Sequence, residues 1–592
     1  IVRSRQYVLG SAVGAGMKRF YIGMIFVPLL VGCRESTPPN KTENKPLAGV
    51  SPPVVSSSTA IHSLERIDPP AGPGSEAPNL FVSPNGVLLS WIETENGKKS
   101  IRWARFSQGK WTSAKTAVTS HDLLVNWSDI PAIAEANGRM FVAFPEIRQG
   151  YRAEWALSSD GGETFTRRGT LHSDTSEGEH GFVSFVAETR DSVRAFWLDG
   201  RATLPNIAAP AMRLYSAVVG DSVTDEVLLD ERTCDCCGLA VGNADGGSVV
   251  AYRDRNEREV RDISVIRKEQ KGFSKPLLVH EDGYRVAGCP VNGPAIAVEG
   301  SRVALAWYTY ADEQARVKVT FSSDAGATFS TPITIADSNT AMTPLGRVSV
   351  AWGDLGDAFV TYVASEREQA RILVRRVHPS GSVFAPLSIT ETRPERKSGF
   401  PKMVRLDDRL LVAWTDGESP SHVRAATVPM NVIGRQTGED RADPTVYPHI
   451  VKEGDLFPAF EVRTTEGKTI SSASLNGKPR LVNLWASYCE PCRQELPNLN
   501  KIHKKFQKRG LQVVGISMDE RLTGDALATL AKKRGIEYVL WHDPEDHAGK
   551  ALSTRVLPAT FLVDASGKII LVRRGAIQDD DVELEKAITL LL

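Results

Sequence analysis

Six of the seven cysteines fall into two groups whose spacing carries chemistry. Cys489 and Cys492 form a C-x-x-C within Trp485-Ala486-Ser487-Tyr488-Cys489-Glu490-Pro491-Cys492-Arg493, where an apolar strand pattern gives way to a helical one. A thiol at a helix start meets unsatisfied backbone N–H groups and the positive end of the helix dipole, which favour thiolate over thiol. Cys489 is therefore the expected attacking sulfur. Cys492, one turn deeper, is the expected resolving sulfur, which releases product from a mixed disulfide. A structural disulfide or half a zinc site is the bland alternative, but zinc wants a second C-x-x-C or a His pair nearby, and neither follows. The second group is Cys234, Cys236 and Cys237 in Thr233-Cys234-Asp235-Cys236-Cys237-Gly238, together with Cys289. Three readings stay open for it: structural disulfides, a thiolate site for copper(I) or zinc with His280 the one histidine close in sequence, or a redox-active disulfide exchanging with Cys489. Tethering both groups in one chain favours the last, since it raises effective concentration to about millimolar.

These residues need positioning elements. From Val451 onward strands alternate with helices: Arg480 to Trp485, Leu511 to Ser517, Thr560 to Val563 and Lys568 to Val572 read as strands, and Cys492 to Lys508, Gly524 to Arg534 and Asp581 to Leu591 as helices. That is a small α/β unit. Upstream, short strands end in an aromatic residue at Trp91, Phe144, Trp197, Tyr252, Trp307, Tyr362 and Trp414, at spacings of 53, 53, 55, 55, 55 and 52. Such a repeat predicts a β-propeller of seven blades, with six as the alternative. The last unit is short, so the segment before Pro78 is expected to supply its outer strand. Cys237 and Cys289 both precede an innermost strand in adjacent blades, so they should be neighbours. Glu93, Glu146, Asp199, Asp254 and Asp416, with Arg148, Arg201, Arg253 and Arg255, should emerge on that same face as a candidate binding surface.

Two stretches, Ser158 to Phe165 and Ser322 to Phe329, resemble the Asp-box turns of sialidase-like (BNR-repeat) propellers, a resemblance specific for fold and weak for activity. The stretch around Cys489 strongly resembles the thioredoxin-like thiol-disulfide oxidoreductases of the TlpA and ResA type, from about Gly454 to Leu592. Gly454 to Phe460 matches that family's opening motif, and Val556-Leu557-Pro558-Ala559-Thr560-Phe561 matches its cis-proline loop facing the reactive sulfur. The resemblance implies catalytic roles for Cys489, Cys492, Pro558 and Glu490, and substrate contacts at Trp485, Tyr488 and Leu557. Glu490 matches the CEPC version, in which a carboxylate raises the thiol pKa values. Asn483 stands where thioredoxin has a buried Asp, which leaves the general base unnamed. No cofactor is required for the dithiol cycle, and copper or zinc enters only through the propeller cysteines.

Met17 reads as the start, with residues 1–16 upstream sequence and 17–32 a signal peptide whose apolar run, Phe20 to Gly32, is about 13 residues and too short to span a bilayer. Leu30-Val31-Gly32-Cys33 resembles a lipobox, which implies lipidation at Cys33 and a bacterial envelope protein facing the periplasm, with the outer membrane favoured by Arg34. Residues 33–75 then read as a flexible tether, 76–430 as the propeller, 431–450 as a linker and 451–592 as the thioredoxin-like domain. Lys plus Arg and Asp plus Glu balance at 71 each, which offers no field for a phosphate backbone and argues against nucleic acid.

The reading that follows is a membrane-anchored periplasmic thiol-disulfide oxidoreductase, a reductase by resemblance. Its implied partners are a disulfide-bearing protein substrate, a membrane thiol donor of the DsbD/CcdA type and the membrane itself. The propeller serves as docking or substrate domain. One alternative makes the propeller a metal- or partner-binding module whose cysteines the thioredoxin domain maintains. A sialidase-type glycosidase is a further alternative, although the Phe/Tyr-Arg-Ile-Pro motif of that family is absent before the first blade.

Overall fold

The computed structural model describes residues 64–434 and 451–592, apart from 127, 149, 205–206, 208–209, 339–341, 367–368, 396–399, 488, 520–521, 553, 555–556 and 579–580. Residues 1–16, the signal segment, Cys33, most of the tether and linker, Tyr488, Val556 and the side chain of Glu490 lie outside the described residues. Among those described, no helix is long and apolar enough to cross a membrane.

Residues 64–434 form seven antiparallel sheets of four or five strands arranged as a seven-bladed propeller. The repeat aromatics all lie on the second strand of their sheet, for example Trp91 on Gly86–Glu95 and Trp307 on Arg302–Thr309, and Trp91, Trp197, Trp307 and Trp414 are fully buried. Burying a side chain of that size contributes roughly 3 kcal/mol each, which explains why spacing persists while other letters drift. The innermost strands line a central channel of about 840 Å³. In both Asp-boxes the carboxylate accepts from the backbone N–H four residues on, Asp160 from Thr164 and Asp324 from Thr328. Gly162 there has φ +91, and a Cβ would lie 2.3 Å from the Trp103 ring of the preceding blade, so the turn admits only glycine.

The ring closes where the seventh blade takes its outer strand from the chain start: Glu65–Arg66 pairs with Val423–Pro429. Further ties follow, Ile67 N–H to Ala425 O at 3.0 Å and Val423 N–H to Ser75 Oγ at 2.9 Å. The expectation of a tether to residue 75 and a propeller from 76 is thereby corrected at its edge. Residues 64–75 belong to the propeller because the last blade leaves an unpaired strand edge that they satisfy. Likewise Met430 and Ile433 are buried in the last blade's core, so the propeller runs past 430.

The C-terminal domain is one seven-stranded sheet flanked by helices. Its strands are Glu461–Thr464 (β1), Thr469–Ser471 (β2), Arg480–Trp485 (β3), Gln512–Ser517 (β4), Val539–His542 (β5), Ala559–Val563 (β6) and Ile569–Arg574 (β7), in the order β2-β1-β5-β4-β3-β6-β7. β3, β4 and β5 are parallel, while β6 and β7 run antiparallel. The helices are Glu490–Phe506 (α1), Gly524–Lys533 (α2), His547–Ala551 (α3) and Val582–Leu591 (α4). α1 starts two residues before the expected Cys492, because Cys489 caps it and Pro491 suits its first turn. β1, β2, β5 and α3 carry too few apolar residues in period to stand out in the sequence.

Candidate active site and the cysteines that face it

β3 is central in the sheet and buried along its whole length, so it delivers the following loop to a fixed place. Asp519 then pins that loop: its carboxylate accepts from Ser487 N–H at 3.0 and 3.1 Å and from Ser487 Oγ at 2.5 Å. Cys489 follows as the N-cap of α1, with its Sγ accepting from Cys492 N–H at 3.2 Å. The two are joined as a disulfide with Cα atoms 5.2 Å apart, and both are fully buried. The helix start that should stabilise a Cys489 thiolate is therefore in place, with a backbone donor aimed at the sulfur.

One turn after Cys492, on the same helix face, Glu495 is 1% exposed. Its carboxylate accepts from Asn483 Nδ2 at 2.8 Å and from Ile577 N–H at 2.9 Å. Burial raises its pKa to about 8, and the Ile577 and Asn483 donors pull only partly the other way. A carboxyl that holds a proton near neutral pH is suited to exchange one with a neighbouring thiol. Sequence reasoning named Asn483 as a departure and missed the acid beside it, since only the packing of α1 onto β3 buries Glu495 against Asn483. A group whose pKa rises on folding stabilises the native state at low pH, and that contribution is lost between the unfolded value, 4.5, and about 8. Calorimetry of the wild-type chain should show its C-terminal transition falling from pH 5 to 8.5 at a slope of up to about 1.4 kcal/mol per pH unit more than in Glu495→Gln. Parallel curves would remove the buried acid from the account.

Two residues expected as substrate contacts are buried. Trp485 is fully buried within the core around β3 and α1, on a central strand covered on both faces, so it supports the site from behind. Leu557 is 1% exposed, and its carbonyl is already engaged. The Leu557–Pro558 peptide bond is cis.

What engages Leu557 comes from the propeller. Cys289 N–H donates to Leu557 O at 2.7 Å, Ala576 N–H donates to Ala287 O at 2.5 Å, and Gly575 N–H donates to Pro558 O at 2.8 Å. Segment 287–289 thus runs as an added strand along the two loops that frame the C-x-x-C, with Cys289 and Leu557 bridging antiparallel. Cys289 and Val291 belong to the same apolar cluster as Cys489, Cys492 and Leu557. Ion pairs reinforce the contact at Arg493 to Glu179, 3.2 Å, and Lys550 to Glu395, 3.1 Å.

Within the propeller, Cys234 and Cys237 form a disulfide, while Cys236 and Cys289 are free thiols packed in one apolar cluster. The two blades do bring these cysteines together, as their sequence positions require. The Cys236 hydrogen bond and then burial push the Cys289 thiol well above the ordinary cysteine range, and the Arg261 guanidinium pulls it back in part. Arg261 is itself fully buried, 3.4 Å from Cys234 Sγ and paired with Asp235 and Glu259. The sulfurs of Cys234, Cys236 and Cys237 lie within 4.8 Å of one another, a group that could hold a metal ion, while His280 lies against Asp282. The expected charged binding face is largely self-neutralised. Arg148 pairs with Glu146 and Asp122, Arg201 with Asp199 and Glu226, and Arg255 with Asp235 and Glu259. Arg253 is buried and donates to three backbone carbonyls, of Asn292, Arg261 and Tyr308.

Residues 454–572 match the AhpC/TSA family. The thiol-disulfide oxidoreductase ResA of Bacillus subtilis (strain 168) is 30% identical over 129 residues, covering 22% of this chain and 71% of ResA. The ResA of Geobacillus thermodenitrificans is 26% identical over 145 residues, 24% of this chain and 82% of its own. Among solved structures, a thiol:disulfide interchange protein of the thioredoxin family from Chlorobium tepidum is 27% identical, covering 24% of this chain and 98% of its own with a TM-score of 0.21. Through its C-terminal domain, with the C-x-x-C capping α1, the chain belongs to the ResA family of thioredoxin-like thiol-disulfide oxidoreductases.

Proposed function

We propose that this oxidoreductase works as a lipid-anchored periplasmic disulfide reductase. The observation that carries the reading is Cys489 as N-cap of α1, its sulfur receiving the Cys492 N–H. The Cys489 thiolate attacks a substrate disulfide, forming a mixed disulfide and releasing one substrate thiol. Cys492 then attacks Cys489 Sγ, which frees the second substrate thiol and leaves Cys489–Cys492 oxidised. Glu495 takes the proton from Cys492 as it becomes nucleophilic, and Glu490, between the cysteines in sequence, tempers the helix dipole. A membrane thiol donor of the DsbD/CcdA type restores the dithiol, and Cys33 carries the anchor, on the outer membrane by its following Arg34. The cycle needs no cofactor.

The test is a pair of variants recovered from the cell envelope and mapped without reduction. Cys492→Ala should carry a mixed disulfide on Cys489, and Cys489→Ala should carry none on Cys492. The reverse pattern would overturn the assignment of attacking and resolving sulfurs. The pairing of the propeller arginines speaks against the glycosidase reading, and a fluorogenic sialoside should not be turned over.

A further inference from the structure

The reductase reading leaves the substrate open, and the contact between the two domains bears on it. Cys489 has no exposed surface, so a folded external protein does not reach it while segment 287–289 is docked. That segment brings its own thiol: Cys289, 4% exposed, is held by its backbone to Leu557 and lies in one apolar cluster with Cys489 and Cys492. Its neighbour Cys236 sits in sequence between Cys234 and Cys237, which are joined as a disulfide, and packs against the same apolar cluster. A cavity of about 490 Å³ opens beside the pair, lined by Cys236, Cys289 and Val291 from the propeller and by Ser487, Arg493 and Asp519 from the C-terminal domain. Two thiols that line one cavity and share one apolar cluster with a redox dithiol are placed for exchange.

We infer that Cys236 and Cys289 form a second redox pair, and that this pair is the in-chain substrate of Cys489 and Cys492, with segment 287–289 occupying the place of a substrate peptide. This rests on the reading of Cys489 as attacking sulfur. The Cys489 thiolate attacks Sγ of Cys289 in a Cys236–Cys289 disulfide: the Cys489–Cys289 bond forms, the Cys236–Cys289 bond breaks, and Cys236 leaves as a thiolate that takes up a proton. Cys492, having given up its proton, attacks Cys489; the Cys489–Cys492 bond forms and Cys289 leaves as a thiol. Two electrons pass to the propeller, and an external dithiol, the donor class the reductase cycle already requires, restores the C-terminal pair.

The full-length Cys492→Ala protein, oxidised with a mild thiol oxidant and mapped without reduction, tests this. The expected result is a Cys489–Cys289 disulfide within one chain, lost in Cys492→Ala/Cys289→Ser. As a second reading, the wild-type chain oxidised at both pairs and given one equivalent of dithiothreitol should end with Cys489 and Cys492 disulfide-linked and Cys236 and Cys289 as thiols. If the Cys236–Cys289 disulfide persists while Cys489 and Cys492 still reduce an added disulfide peptide, the in-chain pair is overturned and the reductase reading survives. If Cys489 joins nothing, both fall.

Discussion

Replacing Cys489 by Ser lowers disulfide reduction by at least ~10³-fold, to the uncatalysed background, with the fold intact. Exchange runs through a thiolate and a covalent S–S intermediate, and a serine hydroxyl supplies neither near neutral pH. The substitution is close to isosteric, and a Ser hydroxyl is a good helix N-cap, so α1 should keep its start: the oxygen can accept the Cys492 N–H that the sulfur accepts now. Loss of activity together with a melting transition unchanged from that of the dithiothreitol-reduced wild-type chain would assign the effect to the sulfur. Retention of more than a tenth of the rate would mean that another cysteine attacks.

Replacing Gly575 by Val undocks the propeller segment and opens Cys289 to alkylation, with the rate of labelling rising on the order of 10²-fold. Gly575 has φ +126, and a Cβ there would stand 2.8 Å from Ala287 O and 2.9 Å from the Ala287 carbonyl carbon, both backbone atoms that cannot turn aside. The segment must move as a whole. Its displacement costs the Cys289 to Leu557 and Ala576 to Ala287 hydrogen bonds, at about 1 kcal/mol each, and the packing of Cys289 and Val291. A loss of about 2.7 kcal/mol in docking is the 10²-fold rise. An unchanged labelling rate would show that the two domains separate freely without the substitution.

How much of this was legible in the sequence follows from how far apart the partners lie. Cys489, Cys492 and Pro558 were readable because the C-x-x-C falls at a local strand-to-helix switch and the proline loop has its own motif. The blades were readable because each repeat buries one large aromatic at a fixed spacing, so Trp91, Trp197, Trp307 and Trp414 announce them. Glu495 was not readable: a Glu in a helix start reads as solvent-facing, and only packing against Asn483 and Ile577 buries it. Asp519, 32 residues beyond Ser487, holds the catalytic loop through a contact that no periodicity encodes. Trp485 flanks the motif in sequence, yet its place on the central strand puts it in the core. The meeting of Cys289 with Leu557 joins two domains across a long stretch of chain, and nothing local in either segment points to the other.

The central claim is that the Cys489/Cys492 dithiol is the working redox centre of the chain. It is tested most directly by counting where electrons come from. The full-length protein is reduced with dithiothreitol, desalted under anaerobic conditions and mixed with a disulfide peptide, and the cysteines are then blocked and mapped by mass spectrometry as the peptide is consumed. The account predicts that Cys489 and Cys492 become disulfide-linked in step with peptide reduction. Peptide reduction that proceeds while both stay alkylatable, or none at all from a fully reduced chain, would contradict it.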